Sequence, residues 1–109
     1  MSANRTYKAL DASTTVAPGP WIPLADFVDP PSIQFEGFVA LDIVQVEGSN
    51  DEGVKEAIVN VDQLGSDVTA DGLFDFDPQA RTKWVRANRT DITGAGTINA
   101  RLSGTIHGG

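Results

Sequence analysis

Residues 82–106, TKWVRANRTDITGAGTINARLSGTI, decide the fold. In the first half Val85 and Ala87 fall on one side of an extended chain, with Trp84, Arg86 and Asn88 on the other. In the second half Ile98, Ala100 and Leu102 alternate with Thr97, Asn99, Arg101 and Ser103. A period of two with one apolar face is the signature of a strand whose one side meets a core. The glycines of DITGAG lie between the halves, and the spacing predicts a β-hairpin that pairs the two strands.

Working outward, the same rhythm recurs. FVALDIVQVEG, 38–48, predicts a strand with Val39, Leu41 and Ile43 on one face and Val44 and Val46 on the other. VKEAIVNVDQL places Val59 and Val61 together, and GLFDFD places Phe74 and Phe76 together with Asp75 and Asp77 pointing away. DEGVKEAIVNV has room for one helical turn, but no segment carries the apolar spacing of a full amphipathic helix. The first third is punctuated by Pro18, Pro20, Pro23, Pro30 and Pro31, which forbid a regular helix and suit extended segments and sheet edges. TYKAL and WIPLADF read as short edge strands there, and SIQFEG as another short strand. The fold expected from the residues is all-β, a small antiparallel β-sandwich or small barrel, with an extended proline-rich N-terminal segment. Its 109 residues fit one domain: an extended arm and edge strands over 1–31, a sandwich core over 32–106, and a flexible tail at 107–109.

Composition narrows the chemistry. The chain has no cysteine, so disulfides, thiolate ligands and a cysteine nucleophile are excluded. A formal net charge of −7 opposes nucleic-acid binding, which needs a positive field to displace counterions. The opening residues show no secretory signal and no later run reads as a membrane span, so no membrane partner and synthesis in the cytoplasm are expected. The NRT triplets at 4–6 and 88–90 are formal glycosylation sequons, and are read as coincidence.

The single histidine, His107, sits in the C-terminal TIHGG and is not expected to serve a triad or a zinc site. Asp75 and Asp77 are the best pair for glycoside hydrolysis, but solvated strand acids explain them more simply. SNDEG, 49–53, lacks the ligand pattern of a calcium loop and reads as the close of a strand connection, since Asn, Asp and Gly suit tight turns. No cofactor and no metal are therefore expected. Trp21 and Trp84 are candidates for ligand stacking, with core or subunit interface the favoured reading.

A resemblance then enters. VQVEGSNDEG at 44–53, ARTKWVRANRTDITGAGTINARLSG at 80–104 and the early GPWIPLADF at 19–27 together resemble small structural proteins of tailed bacteriophages. The likeness covers roughly 19–104, and similar turns and strands occur in galactose-binding jelly rolls. The sequence departs from the pattern at Glu52, which interrupts the Asp-Gly turn, and at Arg89, which stands where an apolar residue is expected after Val85 and Ala87. The resemblance implies a jelly-roll-like antiparallel β-sandwich and a non-enzymatic virion protein, assembled in the host cytoplasm. The role favoured is a capsid decoration or cement protein that binds the major capsid protein and copies of itself as a homotrimer. Trp21, Phe27, Phe35, Phe38, Trp84 and Arg86 are the interface candidates, with the domain's own core an equal reading for Phe35 and Phe38. The alternatives are a tail, neck, baseplate or fibre subunit, and a galactose-binding-like carbohydrate module.

Overall fold

Alternation carries the architecture. In the computed structural model, which describes residues 3–29, 31–51, 58–75 and 82–106 (of Asp26, the backbone alone), the strands over 32–36, 42–49, 84–92 and 98–106 alternate buried and more exposed residues over most of their length. In chain order the strands are β1 (Ala3–Ser13), β2 (Ala17–Pro18), β3 (Ile22–Pro23), β4 (Ser32–Glu36), β5 (Asp42–Ser49), β6 (Asp62–Gln63), β7 (Gly72–Asp75), β8 (Trp84–Ile92) and β9 (Ile98–Ile106). The one helical piece described is a single 3-10 turn, Leu24–Asp26. Two antiparallel sheets result: β1-β9-β4-β7, called sheet 1, and sheet 2, in which β2 and β3 both pair with β8, followed by β5 and β6. With β2 and β3 taken as one interrupted edge strand, β5 and β6 alone are consecutive within one sheet, and the chain otherwise crosses between sheets at each step. That wrapping order is a jelly roll, as expected.

The core lies between the sheets. Val44 and Val46 of β5 and Val85 and Ala87 of β8 face Ile33 and Phe35 of β4 and Ile98, Ala100 and Leu102 of β9, and all are buried. Leu10, Ile22, Leu24 and Phe27 complete it, so the proline-rich third contributes to the core rather than standing off as an arm. Nor is the first strand short: β1 runs for 11 residues along the edge of sheet 1. Prolines do interrupt the ladder where they were expected to. Beside β8 the edge breaks into β2 and β3, which are linked through Gly19 N–H donating to the Ala87 carbonyl at 2.7 Å and Leu24 N–H to Lys83 at 2.8 Å. Gly19 is required at that place, since a Cβ would collide with the carbonyl oxygen of Ala9.

The expected hairpin of β8 and β9 is not formed. Both strands alternate as predicted, but β8 pairs with β5, β2 and β3, whereas β9 pairs with β1 and β4. Residues 93–97 carry the chain from one sheet to the other. Gly94 and Gly96 serve close packing here, because a Cβ on either would meet the backbone of 37–40 or the Asp42 carboxylate. Two apolar faces that look at each other across a core satisfy the same pattern as two that lie side by side.

Two further expectations are corrected. β5 starts at Asp42, not at Phe38, and Val39 and Leu41 lie in an exposed turn closed by Asp42 N–H donating to the Val39 carbonyl at 3.0 Å. Val59 is 79% exposed and, among the described residues of its segment, only Asp62–Gln63 form a strand, so Val59 and Val61 form no buried strand. Phe74 is half-buried in β7, while Phe76, Asp77, His107 and the EGVKEA part of the proposed helical turn lie outside the described residues.

Candidate functional site

The strand phase that buries Val85 and Ala87 carries the next inward position, Arg89, into the core as well. Asp42 is in phase with Val44 and Val46 on β5, and its carboxylate meets the guanidinium diagonally, since Val44 is the residue opposite Arg89. Both side chains are fully buried, with Arg89 Nη2 at 3.1 Å from Asp42 Oδ1. Arg89 Nη1 also donates to the Ser13 carbonyl at the end of β1. The second carboxylate oxygen, Asp42 Oδ2, accepts from Gly96 N–H at 2.9 Å and Val39 N–H at 3.1 Å. Burial alone raises the Asp42 pKa, but the Val39 and Gly96 donors and Arg89 outweigh it and hold the carboxyl below the ordinary aspartate value. The ends of β1 and of two connections are thus tied to one ion pair. Arg89, the departure noted in the sequence, is the fastener of this end of the sandwich.

At the other end of β5 the chain closes by a different device. Asp51 Oδ2 accepts from Val59 N–H at 2.7 Å and Asn60 N–H at 2.9 Å, and Oδ1 from Asn60 Nδ2 at 2.8 Å. Asn60, then Val59, hold its pKa below the ordinary value. Ser49 Oγ accepts from Asp51 N–H at 3.1 Å, Asn50 Oδ1 from Lys83 N–H at 3.0 Å, and the Trp84 indole donates to the Asp51 carbonyl at 3.2 Å. The described part of the SNDEG stretch, Ser49–Asp51, therefore does close a strand connection. It does so by bonding across to a distant segment rather than as a tight hairpin turn.

The six interface candidates divide into two groups. Phe27 and Phe35 are core residues, each 1% exposed, and are corrected as surface anchors. Phe27 meets Tyr7 edge-on at 6.0 Å, and the half-buried Phe38 meets Phe35 in the same way at 6.0 Å. Trp21, Trp84 and Arg86, in contrast, come together on the outer side of sheet 2. The Arg86 guanidinium lies 4.4 Å from the Trp21 ring centroid, and its Nε donates to Glu47 Oε1 at 2.7 Å. Asn88 Nδ2 reaches the other Glu47 oxygen at 3.2 Å. Next to them Asp67 Oδ1 accepts from Gln63 Nε2 at 2.7 Å and from Gln45 Nε2 at 3.3 Å. This face is polar, ordered by its own hydrogen bonds, and carries one aromatic ring beneath a cation. Glu47 and Asn88 were absent from the sequence-derived set. They are readable in hindsight as outward positions in phase with Arg86 and Gln45.

Sheet 1 shows a different kind of surface, its open edges. β1 is paired on one side with β9 and β7 on one side with β4, and among the described residues neither has a strand on its other side. The open part of β1 is Ala3–Lys8. Beyond it the register with β9 shifts between Lys8 and Leu10 and again before Ser13, and the Gly19 backbone closes on Ala9. A strand with one free row of backbone donors and acceptors is a template for another chain.

Among the described residues, no group of three or more His, Asp or Glu side chains converges as metal ligands, and no helix is long and apolar enough to cross a membrane. Set against known protein families, curated proteins and solved structures, the chain matches none of them.

Proposed function

We propose that this protein is a non-catalytic structural subunit of a bacteriophage virion, a capsid decoration or cement protein that binds the major capsid shell and stabilises it. The observation that carries the reading is the open edge of β1 over Ala3–Lys8, an extended backbone row on a rigid jelly roll. Cement function asks for a stable small core, an exposed edge, and modest contacts repeated by symmetry until avidity replaces single-site affinity. Jelly rolls are a recurrent architecture of viral shell proteins, a link of analogy that joins the resemblance of the VQVEGSNDEG and TKWVRANRT stretches. The partners in this reading are the major capsid protein and further copies of the chain as a homotrimer, and the location is the virion.

The test is sedimentation of the purified protein with and without empty shells of the tailed phage, with its mass in solution measured by light scattering. Stoichiometric co-sedimentation supports the reading. A sixfold ring that ignores shells moves the protein to the tail or neck. A protein that binds no virion part, but binds a sugar through the Trp21, Arg86, Glu47 and Asn88 face, replaces the reading with that of a carbohydrate module.

A further inference from the structure

We infer that sheet 1 continues from one copy of this chain into the next, with β1 of one molecule pairing with β7 of another. Four observations lead there. First, these strands are the two outer members of the same sheet. Second, their directions match. Each neighbouring pair in β1-β9-β4-β7 is antiparallel, so β1 and β7 run oppositely, and a second copy in the same orientation adds β7 antiparallel to β1.

Third, the levels agree. The registers align Thr6, Ser103, Ser32 and Asp75 in one row across the sheet, and Lys8, Arg101, Gln34 and Leu73 in the next outward-facing row. A neighbouring β7 in level register therefore sets Asp75 beside Thr6 and diagonal to Lys8, a separation that long side chains span.

Fourth, the charges are complementary where a self-pair of β1 would not be. The open segment of β1 carries Lys8 on its outward face in a chain of formal net charge −7, and β7 carries the exposed Asp75 on the same face. Lys8 stands opposite Arg101 in the ladder, a like-charge neighbour that Glu36 neutralises in part by its 2.6 Å contact with Arg101. On its own strand Lys8 has only the loose 3.8 Å contact with Asp11. A carboxylate arriving on its open side relieves that juxtaposition. The same lysine discourages pairing with another β1, so the edge selects an acidic strand. Leu73, 64% exposed on β7, gains cover from the Lys8 methylene stem in that arrangement.

The contact is heterologous, edge to opposite edge, so it forms a ring where the rotation between copies closes and a filament where it does not. It rests on the reading above and assigns the β1 edge to one of the two partners named there, a further copy of the chain, so that a shell meets other faces of the assembly and the two claims are separable. A monomer that binds shells overturns this inference alone, and a β1–β7 oligomer that ignores shells overturns the shell reading alone.

The experiment is sedimentation velocity on the full chain over a concentration series at low salt, with Lys8→Glu, Asp75→Lys and the double exchange. These positions are exposed, so the folded monomer tolerates them, as a thermal melt by circular dichroism will show. The expected result is an oligomer for the native chain, a dissociation constant raised about tenfold or more by each single reversal, equivalent to about 1.4 kcal/mol, and recovery in the double exchange. A native chain that is monomeric throughout the series overturns the inference. So does an oligomer indifferent to both reversals, or a double exchange that fails to restore it.

Discussion

The two ends of β5 are each closed by an aspartate, and the difference lies in what each carboxylate needs. Asp42 is buried, and its charge is matched by Arg89 as well as by the Val39 and Gly96 N–H groups. Asp51, nearer to solvent, is met by the donors of Val59 and Asn60, with no cation beside it among the described residues. A charge in the core requires a counter-charge, whereas one near water requires only donors in the right places. The first end should therefore behave as part of the global fold and the second as a local fastening.

The largest effect expected is at Arg89. Arg89→Ala leaves a buried carboxylate without its cation, and a loss of about 3–5 kcal/mol in unfolding free energy is expected, read by urea denaturation. Replacing the pair by Met at 89 and Leu at 42 should not recover the native value. Buried ion pairs often tolerate apolar replacement, but here the Val39 and Gly96 N–H groups would be left without an acceptor. Asp51→Ala should cost less globally and accelerate amide exchange at Val59 and Asn60 first. If Asp51→Ala destabilises the protein as much as Arg89→Ala does, the contrast between the two ends is wrong.

Acid sharpens the same contrast. Asp42 and Asp51 both have folded pKa values below the ordinary 3.8. Each therefore binds its proton more readily in the unfolded chain, and contributes stability that is complete above the unfolded pKa and lost as pH falls through the folded one. The thermal midpoint should be flat from neutral pH to about 5 and fall steeply below about 4. Asp51→Asn should remove part of that slope by lowering the midpoint at pH 7, because the amide oxygen keeps only part of the three bonds the carboxylate accepts, and should lie nearer the native value in acid. A midpoint that stays level down to pH 3 would show that neither carboxylate is held as described.

Much of this was legible from residue phase alone. The inward sets Val85 and Ala87, Ile98, Ala100 and Leu102, and Val44 and Val46 follow from period-two spacing, and so does the inward position of Arg89. Phase does not say which sheet a strand joins. The glycines at 94 and 96 look like those of a hairpin, yet they serve the close passage of the 93–97 link over Asp42. The partners of β8 and β9 are set by long-range pairing with β5 and β1, which no local window contains. Val59 and Val61 show the reverse failure, since two correctly spaced valines are too few to specify a buried strand without a neighbour to cover them. The candidate surface was legible in part. Trp21, Trp84 and Arg86 meet on one face, but their partner Glu47 comes from β5, and only the strand pairing brings it there.

The smallest effect lies in the turn that leads into the Asp42 end. Leu41 adopts a positive φ of 78°, a conformation that disfavours any residue with a Cβ, and its side chain is 68% exposed. Nothing in the core holds it there, so the turn geometry is imposed by the Val39 carbonyl bond to Asp42 N–H and by the Asp42 carboxylate reaching back to Val39 N–H. Glycine adopts this conformation without the steric penalty of roughly 1–2 kcal/mol, but loses more backbone entropy on folding, so the two effects oppose each other. A net gain of up to about 1 kcal/mol is expected for Leu41→Gly, measured by urea denaturation at neutral pH. In the Arg89→Ala background the gain should shrink. With the Asp42 carboxylate no longer anchored, the turn is less constrained to the left-handed conformation, and relief of strain at Leu41 then has less to act on. An equal gain in both backgrounds would mean that the turn is set by its own backbone and that the ion pair does not reach it.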